Sequence, residues 1–399
     1  MKKFFLFCMM ALVTMCGLNS CSDDCDHEFI EYDYNKALVG TWTCLHEGYA
    51  EAIVINADGS VVSTGVENGE LWEGVKGSIK TVNNKMTLTF EDDDNFEGRF
   101  EMLSGVAFTI YEENGESFTY SYCEKDFSKD IVGMWVSMDK AFGNEEESVI
   151  IFTYDENGKT YFTGFAPEID GYFTQAESNY KIIGDLKISS VEGDSNTPTK
   201  YMVNRINIIP NGTEYGDIMT THDMTYGTTP TFLRIKQHLE LPGTKYDYSS
   251  VYISNAKGSD FTIMDYTFDA SMADRSRLDA MLKHLPFCVD FPTPNTIKYK
   301  YRYNNNDVPF EAPITVDGNN VTIDMTVINS AYRKVDVYMF QDQDNTQMHM
   351  YMPTYAFVNF FGNMQVTIME QLGQLDTTDA AAVKAVFQSI DDAVETINV

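Results

Sequence analysis

Two pentapeptides constrain this chain more than any other feature. LVGTW at Leu38–Trp42 returns 93 residues later as IVGMW at Ile131–Trp135. A matched hairpin follows each: AEAIVINADGSVVSTG around Asp58-Gly59, and SVIIFTYDENGKTYFTG around Asn157-Gly158. Such a period is too long for a solenoid repeat and suits two whole domains in tandem. Within the first unit the residues alternate. MTLTF sets Met86, Leu88 and Phe90 against Thr87 and Thr89; SFTYSY sets Phe118, Tyr120 and Tyr122 against Ser117, Thr119 and Ser121. Period-two alternation describes strands with one face on a core, and Asp58-Gly59 predicts a type I′ hairpin turn.

The second unit runs to about Lys245, with strands in KIIGDLKISS, YMVNRINII and TFLRIKQHLEL. No third Gly-x-Trp follows, and the rhythm changes. ASMADRSRLDAMLKHLP predicts an amphipathic helix with Leu278, Met281, Leu282 and Leu285 on one face and Pro286 ending it. PFCVDFPTP reads as a linker. Strands are predicted in IKYKYRY, VTIDMTVI, KVDVYMF and QMHMYM, with a hairpin at Asp317-Gly318. A last helix, capped by Thr377 or Thr378, carries Val383, Val386, Phe387 and Ile390 on its apolar stripe.

The first residues, MKKFFLFCMMALVTMCGLNSCSDD, have another logic. Lys2 and Lys3 precede a short apolar run, Phe4–Val13, of signal-peptide length. LNSC, ending at Cys21, resembles the lipobox of bacterial lipoproteins, in which the cysteine takes diacylglycerol; the resemblance implies that Cys21 is lipidated and anchors the chain to a membrane. Ser22-Asp23-Asp24 resembles the acidic export signal of lipoproteins in the Bacteroidetes, which implies the outer membrane and its outer face. With 28 basic residues against 60 acidic, the net charge of −32 repels phosphate backbones and argues against nucleic-acid partners.

A Gly-x-Trp on a first strand, followed by antiparallel strands, resembles the lipocalin or calycin superfamily, and more narrowly the short lipocalin-like domains of Bacteroidetes lipoproteins. The resemblance covers Leu38 to Lys245 as two copies. Together these features imply a mainly β chain: a signal peptide at 1–20, an acidic tether at 21–36, lipocalin-like barrels at 37–126 and 127–247, and a C-terminal α+β domain, calycin-like or otherwise, at 248–399. Gly40, Trp42, Gly133 and Trp135 become structural residues. Each Trp plugs one end of a small barrel and each Gly admits another backbone. In the lipocalin pattern an Arg from the last strand stacks on the Trp. The first unit offers Lys125 there and no Arg; the second offers both Arg205 and Arg234. Barrel closure makes the first and last strands neighbours, which admits a Cys44–Cys123 disulfide, with separate buried thiols as the alternative.

Other constellations point away from chemistry. The acidic runs Glu91–Asp94, Asn144–Glu147 and Gln341–Asp344 lack the spacing of a calcium loop, no Cys-x-x-Cys is present, and the histidines are scattered; no metal, cofactor or catalytic residue is assigned. Met348, Met350 and Met352 share one strand face. They suit a pliable apolar ligand site, or a core packed against the C-terminal helix. The expected function is a surface-anchored, non-enzymatic protein that binds a small apolar or amphipathic ligand, with the pocket expected in the C-terminal domain. The alternative is a spacer that contacts surface glycans or proteins through exposed aromatic side chains.

Overall fold

The computed structural model describes residues 34–91, 95–103, 105–137, 150–166, 171–191, 200–213, 216–223, 230–255, 262–269, 286–303 and 306–395. The lipidation site Cys21, the Asn144–Glu147 run and the helix expected around Leu278 lie outside them. The chain forms three closed eight-stranded antiparallel barrels.

The first barrel comprises β1 (Gly40–His46), β2 (Tyr49–Ile55), β3 (Ser60–Glu67), β4 (Glu70–Val82), β5 (Lys85–Phe90), β6 (Phe96–Leu103), β7 (Ala107–Tyr111) and β8 (Ser117–Tyr122). Its strands follow one another in chain order around the wall, and β1 pairs with β8 to close it. The sequence alternation sets the inside: Trp42, Ile53, Ile55, Met86, Leu88, Phe108 and Ile110 form one buried cluster. The second barrel repeats this plan with β9 (Gly133–Ser137), β10 (Ile151–Tyr154), β11 (Lys159–Ala166), β12 (Gly171–Ile183), β13 (Leu186–Val191), β14 (Lys200–Thr213), β15 (Gly216–Asp223) and β16 (Thr231–Ile235). The two form the tandem lipocalin-like arrangement expected from the repeat.

The duplication reaches further upstream than the pentads. Leu38 N donates to Tyr34 O at 3.0 Å, and Ile131 N to Phe127 O at 3.0 Å, so each barrel is preceded by the same turn. Tyr34 packs edge-on against Phe100 inside the barrel, and Asn35 Oδ1 accepts from Thr81 N at 3.2 Å. Residues 34–36 thus belong to the first barrel's floor rather than to a tether. The matched hairpins are also alike, but neither is type I′. That turn needs positive φ at both central residues, whereas Gly59 (φ 79°) and Gly158 (φ 77°) are left-handed and Asp58 and Asn157 are not. Gly59 N donates to Asn56 O at 3.0 Å, and Gly158 N to Asp155 O at 3.3 Å.

The third unit is also a barrel: β17 (Lys245–Asn255), β18 (Thr262–Asp269), β19 (Pro286–Thr293), β20 (Thr296–Tyr303), β21 (Asn306–Asp317), β22 (Asn320–Asp324), β23 (Lys334–Gln341) and β24 (Gln347–Met352). Its order is not a simple meander, because β17 lies between β18 and β19 while β18 pairs with β24. This is no third copy of the repeat, in keeping with the missing pentad. The expected linker PFCVDFPTP is β19, with Cys288, Val289 and Phe291 buried. Its prolines mislead because register shifts between Pro286 and Cys288 and between Asp290 and Thr293 absorb them.

Among the described residues two α-helices complete the third domain, α1 (Thr354–Gln371) and α2 (Ala380–Glu395). Sequence periodicity misses α1 because most of its circumference is buried: Ala356, Val358, Phe360, Phe361, Met364, Val366 and Ile368 all join the core of this barrel. The second helix covers it, with the Phe387 ring on Gly362, where no side chain would fit. The expected stripe is in place, Val383, Val386 and Phe387 being buried. The cap is Asp379 instead of either threonine: its Oδ1 accepts from Ala381 N at 3.0 Å and Ala382 N at 3.1 Å. Thr377 is turned to Glu370 and Thr378 to Asp376.

Candidate functional site

The pentad residues build two closed floors. Trp42 and Trp135 are fully buried, and each indole N–H donates to the carbonyl four residues back, Leu38 O and Ile131 O, both at 2.7 Å. Gly40 (φ 137°) and Gly133 (φ 133°) adopt a conformation that side chains disfavour. A Cβ on Gly40 would meet Tyr122 Cε2 at 2.5 Å, and one on Gly133 would meet Arg234 Nη1 at 2.9 Å. These contacts identify the partner of each Trp. In the second barrel it is Arg234, whose guanidinium lies 4.3 Å from the Trp135 ring, donates to Val132 O at 2.7 Å and to Asp130 O, and pairs with Asp217 at 3.1 Å. In the first, Tyr122 holds the same register position and meets Trp42 edge-on at 5.1 Å. Lys125 serves the second barrel instead, pairing with Asp130 at 3.1 Å, and Arg205 bridges the two barrels through Thr43 O at 3.2 Å and Asp185 at 3.1 Å. The Trp residues therefore contact their own floors.

Cys44 and Cys123 are free thiols. Barrel closure does make β1 and β8 neighbours, but the register sets Trp42 opposite Tyr122, so Cys44 shares the inward face and Cys123 points the other way. Cys123 Sγ lies against Gly184 of the second barrel, while Cys44 is in the first barrel's core. The row Met348, Met350 and Met352 is wholly buried, in one cluster with Tyr299, Phe360 and Met364. Here α1 supplies the apolar partners that a ligand would otherwise bring. In the Gln341–Asp344 run, the buried Asp342 accepts from Thr346 N at 2.7 Å and Gln347 N at 3.1 Å, tying a turn. Among the described residues no group of His, Cys, Asp or Glu is arranged to hold a metal.

One inward position of the first barrel breaks the apolar pattern. Along β2, Tyr49, Glu51, Ile53 and Ile55 share the inner face, and Glu51 is 5% exposed. Its Oε2 accepts from Tyr49 Oη at 2.6 Å and from Tyr120 Oη; its Oε1 accepts from Ser63 Oγ at 2.5 Å. Trp72 Nε1 donates to Ser63 Oγ at 2.8 Å, extending the network. Trp72 lies over Gly65, which has no space for a side chain. Aromatic rings stand above: Tyr49 against Trp72 at 5.7 Å and against Phe118 at 5.0 Å, and His46 against Phe118 at 5.7 Å. This end lies opposite the Trp42 floor. Burial, and then the Glu51 charge, push the Cys44 thiol up to about 12 and hold the Tyr49 and Tyr120 hydroxyls protonated well above their usual range.

The duplicated barrel provides an internal control. Trp42 pairs with Ile53 and Ile53 with Ser63; Trp135 pairs with Phe152 and Phe152 with Phe162. Register thus places Ile150 where Glu51 stands, Phe162 where Ser63 stands and Phe232 where Tyr120 stands. The second barrel fills these positions with apolar side chains that join its core. The fold therefore does not require a polar network here. Sequence reading passed over Glu51 among sixty acids; its signal was one charged residue on the apolar face of AEAIVI.

No family model and no curated protein matches this sequence. Among solved structures the chain is similar to a mutant of the vaccine antigen transferrin binding protein B from Haemophilus parasuis Hp5, at 11% identity and a TM-score of 0.16. The match covers 76% of this chain and 65% of that one. So distant a likeness carries no argument about function.

Proposed function

We propose that this chain is a non-enzymatic binding protein of the bacterial surface, with its ligand site in the mouth of the first barrel. The leader supports anchoring through Cys21 at the outer membrane, in the manner of Bacteroidetes lipoproteins. One observation carries the binding reading: Glu51, Tyr120 and Ser63 form a buried polar network where the sister barrel has Ile150, Phe232 and Phe162. Burying a carboxylate costs several kcal/mol before its hydrogen bonds offset it. A departure of that kind from a working apolar core marks a functional position. The aromatic ring of Tyr49, Trp72 and Phe118 above it suits a small amphipathic molecule.

The Met row is withdrawn as a site because α1 fills that space. Nor do exposed aromatic side chains favour the glycan-contacting alternative. Among the described residues, the exposed large apolar side chains are mainly aliphatic and scattered, Tyr122 and Tyr355 being the aromatic ones. The test is native mass spectrometry of protein purified from its own cell. A co-purifying small molecule lost on Phe118→Ala is the expected result. A ligand retained by Phe118→Ala and by Trp72→Leu, or a clean apo mass together with no binding of small-molecule probes at the first barrel, would overturn the reading.

A further inference from the structure

The chemistry of this mouth narrows the ligand. We infer that the first barrel binds an organic ammonium cation, a primary or quaternary amine carried on a short apolar body. This rests on the preceding reading that the mouth is a binding site.

Three observations converge. First, the ring faces of Tyr49, Trp72 and Phe118 are only partly buried, and they meet at angles of 35° and 54° rather than stacking flat. Tilted rings at one end of the barrel can each present a face to a common centre, and a cation within about 6 Å of such faces is attracted by their quadrupoles. Second, the Tyr49 hydroxyl donates to the Glu51 carboxylate at 2.6 Å. A phenol that donates to an anion becomes richer in π density, because chains of hydrogen bonds polarise one another. The buried carboxylate thus strengthens the ring between Trp72 and Phe118. It also contributes its own field across a low-dielectric interior, where a charge acts more strongly than in water.

Third, the rim is mainly acidic. The strands run alternately up and down, so the turns after β1, β3, β5 and β7 meet at this end. Their described residues and immediate flanks include Glu47, Glu67, Glu70, Glu91, Glu112 and Glu116 and no Lys or Arg. The basic residues that approach are Lys76 on β4, whose carbonyl accepts from Glu91 N at 3.0 Å, and two from the second barrel. Lys181 pairs with Glu73, and the Lys200 stem packs on Gly69. An anion would be repelled at such a rim, and a neutral apolar ligand would gain nothing from Glu51. A cation is favoured at each stage, by steering at the rim and by the rings and carboxylate within.

The test compares choline with its carbon isostere 3,3-dimethylbutan-1-ol, using the full chain labelled with 5-fluorotryptophan and the Trp72 resonance as readout. We expect choline to shift that resonance, with the isostere at least about tenfold weaker. Glu51→Gln should remove most of this preference, and Phe118→Leu, a partly exposed ring whose loss leaves the buried network intact, should weaken choline alone. Equal or tighter binding of the alcohol would overturn the cationic assignment while leaving a ligand site in place. If neither probe moves Trp72 but both move Trp135, or if neither moves any resonance, the site itself is refuted. A preference for choline that survives both variants would also overturn the inference.

Discussion

Replacing Glu51 by Ile puts into the first barrel the residue that the second barrel uses at the same place. Alone, the change should be costly. It takes the acceptor from the hydroxyls of Ser63 and Tyr120, residues each 2% exposed, while the Tyr49 hydroxyl can still donate to Tyr120 Oη, 3.4 Å away. A buried hydroxyl left without its partner costs about 1–3 kcal/mol, so two of them, less the relief of an uncharged interior, give a loss of about 3 kcal/mol for the single variant. The triple variant Glu51→Ile, Ser63→Val, Tyr120→Phe should regain part of that loss, because it removes both buried hydroxyls and leaves only the partly buried Tyr49 O–H and Trp72 N–H without their former acceptors. Val is preferred to Phe at position 63 since the Trp72 indole lies 2.8 Å from Ser63 Oγ and already occupies the space of a ring. The assay is urea unfolding followed by fluorine NMR of 5-fluorotryptophan, which separates Trp42 and Trp72 of the first barrel from Trp135 of the second. A single variant as stable as wild type, or a triple variant no better than the single, would refute the view that the network is a polar replacement within an otherwise apolar plan.

Other consequences follow from the same geometry. Arg234→Ala should destabilise the second barrel by about 2–4 kcal/mol, since it removes the ion pair with Asp217, two donors to the floor carbonyls and the stacking on Trp135; Arg234→Lys should recover little, and the Trp135 resonance reads both. Among the described cysteines, iodoacetamide should modify the half-exposed Cys123 in the native protein, while Cys44 and Cys288 react only on unfolding, which mass mapping of the labelled peptides checks. Alkali should weaken the first barrel. The folded Cys44 thiol is raised from 9.0 to about 12, so its contribution is fully present below pH 9 and falls by about 1.4 kcal/mol per pH unit above it. The raised Tyr49 and Tyr120 hydroxyls add to this above pH 10. Urea midpoints for Trp42 measured across pH 8–11 should therefore fall, and in Glu51→Gln the fall should be shallower.

What could be read in the sequence was what repeats or alternates. The pentads and hairpins gave two barrels because Gly40 and Gly133, Trp42 and Trp135, recur with the same turns around them. The choice between Arg205 and Arg234 could not be made from spacing. Strand register decides it, and register depends on where the bulges fall, as between Ile209 and Thr213. The third domain was harder because its pattern is not local. Its first two strands pair with strands about 40 and 90 residues away, and α1 shows no stripe because barrel and α2 cover most sides of it. Glu51 was legible in principle, on the face of Ile53 and Ile55, but only the comparison with Ile150 gives that lone charge its meaning.

The packing between barrels sets how the molecule comes apart. The second and third barrels share an apolar interface built from outward residues. Met134, Val136, Ile151, Leu233 and Ile235 pack against Tyr338, Phe340 and Tyr351 in one buried cluster. Hydrogen bonds join them as well, Lys236 N to Gln341 O at 3.0 Å and Asp217 N to Gln343 Oε1 at 2.8 Å. The first and second barrels instead meet through polar contacts: Arg205 to Thr43 O at 3.2 Å, Tyr201 N to Gly69 O at 3.0 Å, and the half-exposed pair Lys181–Glu73. Exposed ion pairs contribute about 0–1 kcal/mol each, whereas each large apolar side chain at the other interface contributes about 1.5–3 kcal/mol on burial. Unfolding should thus proceed in two cooperative steps, the first barrel alone and the second and third together. Trp42 and Trp72 resonances with Cys44 labelling report the former, and Trp135 with Cys288 labelling the latter. Phe340→Asp should split the second step without moving the first. One transition for all reporters, or a shift of Trp42 in Phe340→Asp, would show that the polar junction couples the barrels more strongly than its chemistry allows.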